Sequence, residues 1–498
     1  MAYVRTVRTS SGATAVQIVY SSRRGSREIE HLGSAHTGEQ VEALKAVALQ
    51  RIAAGQQQLD LGLEVAAVAA AGGPLEITGS RMGHLWDALS RAYDALGFDD
   101  AAAGDEVFRA LVLARIIEPT SKEDSIRVIE ETGSVAASYR TIKRRLPIYA
   151  TEAWRGRLTA ACAKRAALGP ASLVLYDVTT LYFETDRGDG FREPGYSKER
   201  RLEPQITVGL LTDAAGFPLT VKAFEGNKAE TATIVETLNE FMAAHRLSDI
   251  TVVADAGMIS EANKTAIEAA GLSFILGARI PDVPWVVDQW HKANPGTDLP
   301  DGLTLTQPWG AGPNQTRRDQ VIYYQYRADR ARRTLRGIDE QVGKAEKAVA
   351  GKVPVKRNRF ITLRGAQKSV NRQLEAKARS LAGWKGYITN IAKPTPQFVI
   401  DSYHQLWRIE KSFRMSKNDL RARPIYHHKR ESIDAHLTIV FAALAITRYA
   451  ETATGWSIRR FVRTARRYRT VQIRVGPHLV TAEDPLPADL RNALAQIR

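Results

Sequence analysis

Three acids stand where an acid is costly. Asp177 interrupts the apolar run of SLVLYDVTTLYFET (172–185), and Asp255 closes the run ITVVA just before Gly257. A carboxylate in a buried strand loses its hydration unless a cation, a helix N-terminus or a metal ion compensates it. Singly, an aspartate at a strand end most often bonds to its own turn. As a pair they are more telling, because two strands of one mixed sheet can set both carboxylates side by side. At that range they raise each other's pKa unless cations lie between them. Hard oxygen donors of this kind suit a pair of Mg²⁺ ions, with Mn²⁺ as a substitute. The third acid lies in DSYHQLWRIEKSFRMSKNDL (401–420), where Tyr403, Glu410 and Lys417 recur at seven-residue steps. On one continuous helix such steps drift by only about 20° and form a single stripe. That stripe would offer a hydrogen bonder, a metal ligand and a phosphate contact to one groove, with Leu406, Trp407 and Phe413 on the packing side. The plainer reading of Glu410 is an i,i+4 pair with Arg414, worth a few tenths of a kcal/mol.

The elements that must position these groups can be read from the hydrophobic period. Residues 3–32 read as short basic strands with a turn at SSRRGSRE, followed by a helix over about 39–58 and an alanine-rich linker ending at Gly73. From about Gly83 the period is helical through four segments. The last two, SKEDSIRVIEETG and SYRTIKRRLPIYA, could form a DNA-binding helix-turn-helix, the second carrying Arg140, Lys143, Arg144 and Arg145. From 172 the pattern is a strand, a hairpin turning at Ala214–Gly216, then helix, strand, helix, strand: a mixed α/β sheet, not a doubly wound one. Residues 281–383 differ, being rich in Pro, Trp and Gly at first. From Asn314 to Arg379 they carry 18 Lys and Arg against 6 Asp and Glu. A strand returns in GYITNI, and a long helix is expected from about Gln397. The resulting division is 1–75, a strand and helix region; 76–168, a helical subdomain with DNA-binding potential; 169–280 and 384–450, two parts of a catalytic core; 281–383, an insertion; and 451–498, a basic C-terminal tail.

Composition narrows the partners. The chain has 498 residues and a net charge of +16, with a pI near 9.8, which favours polyanions and nucleic acid first. A membrane is not expected: the apolar stretch LTIVFAALAI (437–446) is far below the ~20 residues a spanning helix needs and reads as a buried core helix. The N-terminal MAYVRTVRTSSG has no apolar signal region. The single cysteine, Cys162, allows no internal disulfide and reads as a packing residue, and the expected location is a reducing cytoplasm. His427, His428 and His436 lack a cysteine partner, so zinc is not expected. Between Gly455 and Val475 there are seven arginines and no acid, a pattern suited to phosphate contact.

The same residues carry a resemblance. LARIIEPTSK, LVLYDVTTLYFE, FEGNKAE, VVADAGM, GYITNI and YHQLWRIEKSFRMSKNDLRARPIYHH together resemble the transposases of bacterial insertion sequences that bear a DDE triad and a Y-R-E-K signature, in the subgroup with a large insertion before the glutamate. The resemblance covers most of the chain. It implies a ribonuclease-H-like core split by a mostly β insertion domain, and it puts the acids at Asp177, Asp255 and Glu410 and the signature tyrosine and lysine at Tyr403 and Lys417. The signature arginine position holds Leu406 instead; Arg408 is the nearest basic side chain, and with Arg414 it joins Tyr403 and Lys417 as a DNA-contact candidate. The aromatic that often follows the second Asp-x-Gly is Met258. What the family implies is metal-dependent cutting of transposon ends and joining to target DNA, by a homodimer holding both ends. No covalent nucleophile is needed, so Tyr182 and Tyr196 take no such role. A nuclease that cuts without joining, and a non-catalytic DNA-binding relic, are the rival readings.

Overall fold

The computed structural model describes residues 1–498 apart from 1, 10–11, 22–26, 55–74, 170, 185–186, 196–202, 248, 257–259, 310–318, 355–356, 365–366 and 476–477. The elements begin with β1 (Ala2–Arg8), β2 (Thr14–Ser21), β3 (Arg27–Ala35), α1 (Gly38–Ala54) and β4 (Glu76–Arg81). A run of helices follows: α2 (Gly83–Ala95), α3 (Phe98–Ala101), α4 (Glu106–Ile117), α5 (Ser125–Glu131), α6 (Tyr139–Tyr149) and α7 (Glu152–Ala166). Next come β5 (Ser172–Tyr182), β6 (Gln205–Asp213), β7 (Pro218–Glu225), α8 (Ile234–His245), β8 (Ile250–Ala254), α9 (Glu261–Ala269) and β9 (Ser273–Ala278). The segment after them holds α10 (Trp285–Ala293), β10 (Thr304–Trp309), β11 (Gln320–Tyr326), α11 (Ala328–Val349), β12 (Ile361–Arg364), β13 (Gln367–Val370) and α12 (Arg372–Ser380). The chain closes with β14 (Trp384–Thr389), α13 (Pro396–His404), α14 (Leu406–Arg414), α15 (Arg430–Thr454), α16 (Ile458–Ala465), β15 (Thr470–Val475), β16 (His478–Glu483) and α17 (Ala488–Gln496). The linker expected up to Gly73, the SSRRGSRE turn, Tyr196 and Met258 lie wholly or largely outside the described residues.

Two compact units result, one of 1–78 with 472–480, the other of 79–471 with 481–498. In the first, β1–β2–β3 form an antiparallel sheet, and Val16, Ile18 and Ala48 close a small core between that sheet and α1. The second is built on an eight-stranded sheet of order β10–β11–β14–β9–β8–β5–β6–β7. β5, β8 and β9 run parallel, while the other neighbours pair antiparallel, giving the mixed sheet expected from the sequence. β8 is buried at all five positions, as a central strand covered on both faces must be.

Period-two alternation divides the sheet's side chains between two cores. Leu175, Val253, Ile275 and Tyr387 point to the face covered by α13, α14 and α15; Tyr176, Val252, Phe274 and Leu276 share the other core with Ile234, Leu238 and Ile267 of α8 and α9. α15 is apolar on nearly every side because α2, α4, α6 and α7 pack around it while it also meets β7. It is long and apolar enough to cross a membrane by composition, but 89% of its most apolar window is buried in the protein, so the core-helix reading of LTIVFAALAI holds. Side-chain caps set the helix starts: Asp105 accepts from Phe108 N–H, Ser138 from Thr141, Thr151 from Trp154, and Thr395 from Phe398 with Pro396 in the first turn. Cys162 is buried in α7, consistent with a packing role.

Two expectations give way. Residues 281–383 are not mostly β: α10, α11 and α12 dominate the described part, and β10 and β11 extend the central sheet instead of forming a separate one. The reason is edge pairing. β14 would otherwise end the sheet with unsatisfied backbone groups, and β11 covers it, Tyr323 facing Tyr387. Nor is 451–498 a tail. Leu490, Ala493, Leu494 and Ile497 are buried, and α17 packs on α15.

Gly209 of β6 lies where an added Cβ would collide with the phenol of Tyr176. That ring is fully buried, and its hydroxyl donates to Thr233 Oγ1 at 2.9 Å, so it has nowhere to retreat. Gly209→Ala is therefore expected to lower the unfolding free energy by about 1–3 kcal/mol, the usual cost of overpacking. Urea denaturation followed by circular dichroism measures it, and an unchanged midpoint would refute the packing argument.

Candidate active site

Sheet register brings the first two acids together. β5 and β8 pair in parallel, Ser172 with Ile250 through Leu175 with Val253. Two residues further along the same register, Asp177 faces Asp255, the first residue past the end of β8. Adjacent strands lie about 4.8 Å apart, so the two side chains leave the sheet as neighbours on one face. The next strands continue the row: β9 pairs Ala254 with Leu276, and β14 pairs Tyr387 with Gly277. Gly277 has a specific task there. A Cβ at that position would meet the Tyr403 hydroxyl at 2.7 Å, so the missing side chain is what admits the phenol to the row.

Tyr403 arrives from α13, buried, and donates its hydroxyl to Asp255 Oδ1 at 2.6 Å. The same oxygen accepts the Ala256 N–H at 2.8 Å, while Asp177 Oδ1 accepts Val178 N–H at 2.9 Å. Burial first, and then the bond to Asp255, push the Tyr403 phenol well above its ordinary range. It therefore stays protonated and serves as a fixed donor. Glu410, exposed on α14, completes the set: Asp177, Asp255, Glu410 and Tyr403 line one cavity of about 240 Å³ together with Lys385, His404 and Trp407.

Lys385 is the residue sequence reasoning missed. It is the one charged side chain in the strand WKGYIT, which is otherwise nearly all buried; that single break was the available signal. Half-buried, its ammonium lies 4.3 Å from the centre of the Tyr403 ring. Burial lowers its pKa from the ordinary lysine range, helped by Arg330 and opposed by Asp255 and Glu410. Among the described residues that line the cavity, Lys385 is the one lysine or arginine beside the three carboxylates. His404, also absent from the expected set, shares a 3.3 Å hydrogen bond with the Tyr387 hydroxyl.

The single-stripe expectation fails in its last step. The helix breaks at Gln405 into α13 and α14, and after Arg414 it widens into a π turn over Met415–Asp419, with Leu420 N–H bonded to Met415 C=O. A π turn holds more residues per revolution than an α-turn and so rotates the side chains within and beyond it. Lys417 accordingly leaves the acid cavity and lines a mainly apolar pocket with Thr179, Leu181, Val208 and Leu210. Trp407 was expected on the packing side; it is 58% exposed at the acid cavity, while Leu406 and Phe413 are buried. Arg408 points away, donating to the Ala214 carbonyl at 3.1 Å, so it staples α14 to the β6–β7 turn and does not face the acids. Arg414 is exposed and lies outside the cavity lining.

By chemistry the donors fit a divalent ion: three carboxylates in one cavity are the hard oxygen ligands that Mg²⁺ and Mn²⁺ take. Among the described residues no three His, Cys, Asp or Glu stand close enough to hold one ion, so in this conformation the acids share a cavity but not a coordination sphere.

Residues 168–446, more than half of the chain, match the family model of the transposase DDE domain. The chain belongs to that family. All three acids, Tyr403 and Lys385 fall inside the matched span of the DDE domain. No curated protein matches the chain. A solved structure, a piggyBac transposase synaptic complex with hairpin DNA, is similar over 72% of this chain and 69% of that one, at 12% identity. Its TM-score is 0.39, a likeness too slight to bear on the fold or the site.

If Gly277 is there to admit Tyr403, the two positions must be coupled. Tyr403→Phe, which removes a charge-assisted hydrogen bond to an exposed carboxylate, is expected to cost about 1 kcal/mol. Gly277→Ala should cost more alone than in the Tyr403→Phe background. A double-mutant cycle by chemical denaturation should return a coupling within the ~0.5–3 kcal/mol typical of touching residues, and additive costs would sink the account.

Proposed function

We propose that this chain is the transposase of a bacterial insertion sequence, cutting the element's ends and joining them to target DNA by metal-dependent phosphoryl transfer in a cut-and-paste reaction. The observation that carries the reading is the meeting of Asp177, Asp255 and Glu410 in one cavity within the matched DDE domain. On this reading the core is ribonuclease-H-like and the protein works in the cytoplasm as a homodimer, because two ends must be cut together.

Asp177, Asp255 and Glu410 would hold the divalent ions. When bound, a pair of such ions supplies Lewis acidity to the attacking and leaving oxygens of an in-line displacement. The chain's own groups do the rest. Tyr403 fixes the rotamer of Asp255 through its hydroxyl. Lys385 offsets part of the carboxylates' mutual repulsion and is placed to take a phosphate oxygen. Trp407, open at the cavity, bounds the space left for DNA. No protein nucleophile is required, and Tyr182 is left to pack beneath the Arg423 guanidinium, 5.5 Å from its ring centre.

Contact along the DNA falls to the basic surface. α16 and the turn after it support this role: Arg463 and Arg467 are exposed at a cleft of about 550 Å³, beside Arg466, which Glu118 already holds at 2.6 Å. Arg140, Lys143 and Arg144 are exposed on α6 as the helix-turn-helix reading requires, and Ile142, Leu146 and Tyr149 anchor its other side.

The deciding experiment incubates the purified protein with Mg²⁺ or Mn²⁺ and a duplex bearing the element's own end, beside Asp177→Asn, Asp255→Asn and Glu410→Gln. The wild type should cut at the end, and chelation should stop it. Each variant should bind DNA yet cut more than about 100-fold more slowly, since even outer-shell partners of metal sites cost up to that much. Cleavage that survives any of the three substitutions would remove that acid from the mechanism; binding without cleavage by the wild type across metals would leave the non-catalytic relic.

A further inference from the structure

Two stretches of the sequence, LARIIEPTSK and RARPIYHH, have no part in the acid cavity. The fold brings them together. Arg115 lies near the end of α4 and Lys122 in the turn after it; Arg421 and His427 come from the segment following the π turn, and His436 from α15. Arg115, Lys122 and His436 are 9%, 5% and 5% exposed. The Lys122 ammonium contacts His427 Nε2 at 2.5 Å, and the His427 and His436 rings lie 5.7 Å apart. His436 Nε2 bonds to the Ala422 carbonyl at 3.1 Å, leaving a buried Nδ1 with no partner among the described residues.

Every charge in this cluster has the same sign. Of the acids near in sequence, Glu118 pairs with Arg127 and Arg466, Asp124 with Arg127, Asp419 with Arg459, and Asp434 with Arg155 and Arg430, while Glu123 and Glu431 are exposed. Buried bases can shed the problem by giving up a proton, and burial does push Lys122, His427 and His436 toward their neutral forms, with Arg115 reinforcing it. Arg115 lacks that escape. Burial and the facing Arg421 lower it only to about 10, so it stays charged at neutral pH. Among the described residues it has neither a hydrogen bond nor an ion pair from its side chain. The residue is nine-tenths buried with no counter-charge among the described residues, yet none of its guanidinium nitrogens is fully enclosed, so the head group reaches solvent where an anion can arrive.

We propose that Arg115, with Arg421 at the surface and Lys122 and His427 behind it, forms an anion site that seats a backbone phosphate of the bound DNA. The inference rests on the DNA-transposase reading for its ligand. The segment lies along the strand that carries the first acid: Ile425 N–H bonds to the Tyr182 carbonyl at 3.3 Å, so it runs beside the end of β5, five residues beyond Asp177. At about 3.3 Å per residue that is about 17 Å, or roughly five steps of 3.4 Å along a DNA strand. A duplex cut at the acids and following β5 would carry a phosphate past the cluster. The forked guanidinium of Arg115 suits a phosphodiester better than a point charge would.

The test is a titration of the full-length protein with a short fluorescent duplex over a range of salt, without divalent ions, for wild type, Arg115→Met and Arg421→Ala, alongside thermal melts. Each variant should shallow the log–log salt dependence of binding by about one unit, as loss of one phosphate contact does. Arg115→Met should melt at or above wild type, because it removes an uncompensated buried charge. A salt slope unchanged in both variants overturns the proposal, and so does a slope unchanged while inorganic phosphate protects the wild type, since the site would then take free phosphate alone. Arg421 is exposed, so its variant keeps the question open to an answer if Arg115→Met does not fold. Binding is read without cleavage, so failure here leaves the metal-dependent reaction standing, and the reverse.

Discussion

One register decides this structure: the parallel pairing of β5 with β8 that sets Asp177 beside Asp255. A slip of a single residue would turn Asp177 to the opposite core, among Ile234 and Leu238, where a carboxylate finds only apolar neighbours. Most of the surrounding detail reads as the consequence of keeping two like charges together. Gly277 yields its side-chain volume, Tyr403 enters through the gap to hold Asp255, and Lys385 approaches from β14 despite the desolvation it suffers there. α14 then brings Glu410 over the row, held in place on its far side by Arg408 and by Ser412, whose hydroxyl donates to the Gly216 carbonyl at 2.8 Å.

The same constraint explains how much could be read from the sequence. Strands and helices of strong period were legible, and so were the acids, because an aspartate at the end of ITVVA violates the local pattern and the violation itself is the signal. Residues that answer those acids were not legible. Lys385 belongs to another strand whose neighbours are set by sheet order, and nothing in WKGYIT says which strand lies beside it. Gly277 looks like any glycine in a strand until Tyr403 is seen above it. The departure of Lys417 depends on a π turn, a backbone choice of the packed structure that seven-residue spacing does not report.

The segment before Glu410 shows the same limit at larger scale. Its Pro- and Trp-rich opening hid α10, whose first turn follows Pro284 and whose one fully buried residue is Val287. Of its strands, β10 and β11 extend the central sheet while β12 and β13 pair with each other, and the course β11 takes depends on what β14 leaves unpaired. Local pattern cannot hold that information, because the unpaired edge lies in a strand some sixty residues further along.

Charge in the larger unit is separated beyond what folding requires. Among the described residues, the acid cavity has one lysine beside three carboxylates, while the cluster at Arg115 gathers basic groups with no acid paired to them. Left to itself, a protein lowers its energy by pairing such groups, and this one does so freely elsewhere, as Arg127 shows with three carboxylates at once. Two such sites of opposite sign in one unit ask for a ligand carrying both answers. On the proposed reading, backbone phosphates with divalent ions would be such a ligand: the ions would satisfy the acids, and a phosphate further along the strand would satisfy Arg115. Each site alone is a cost to the folded protein, and that cost would be returned as affinity when DNA binds.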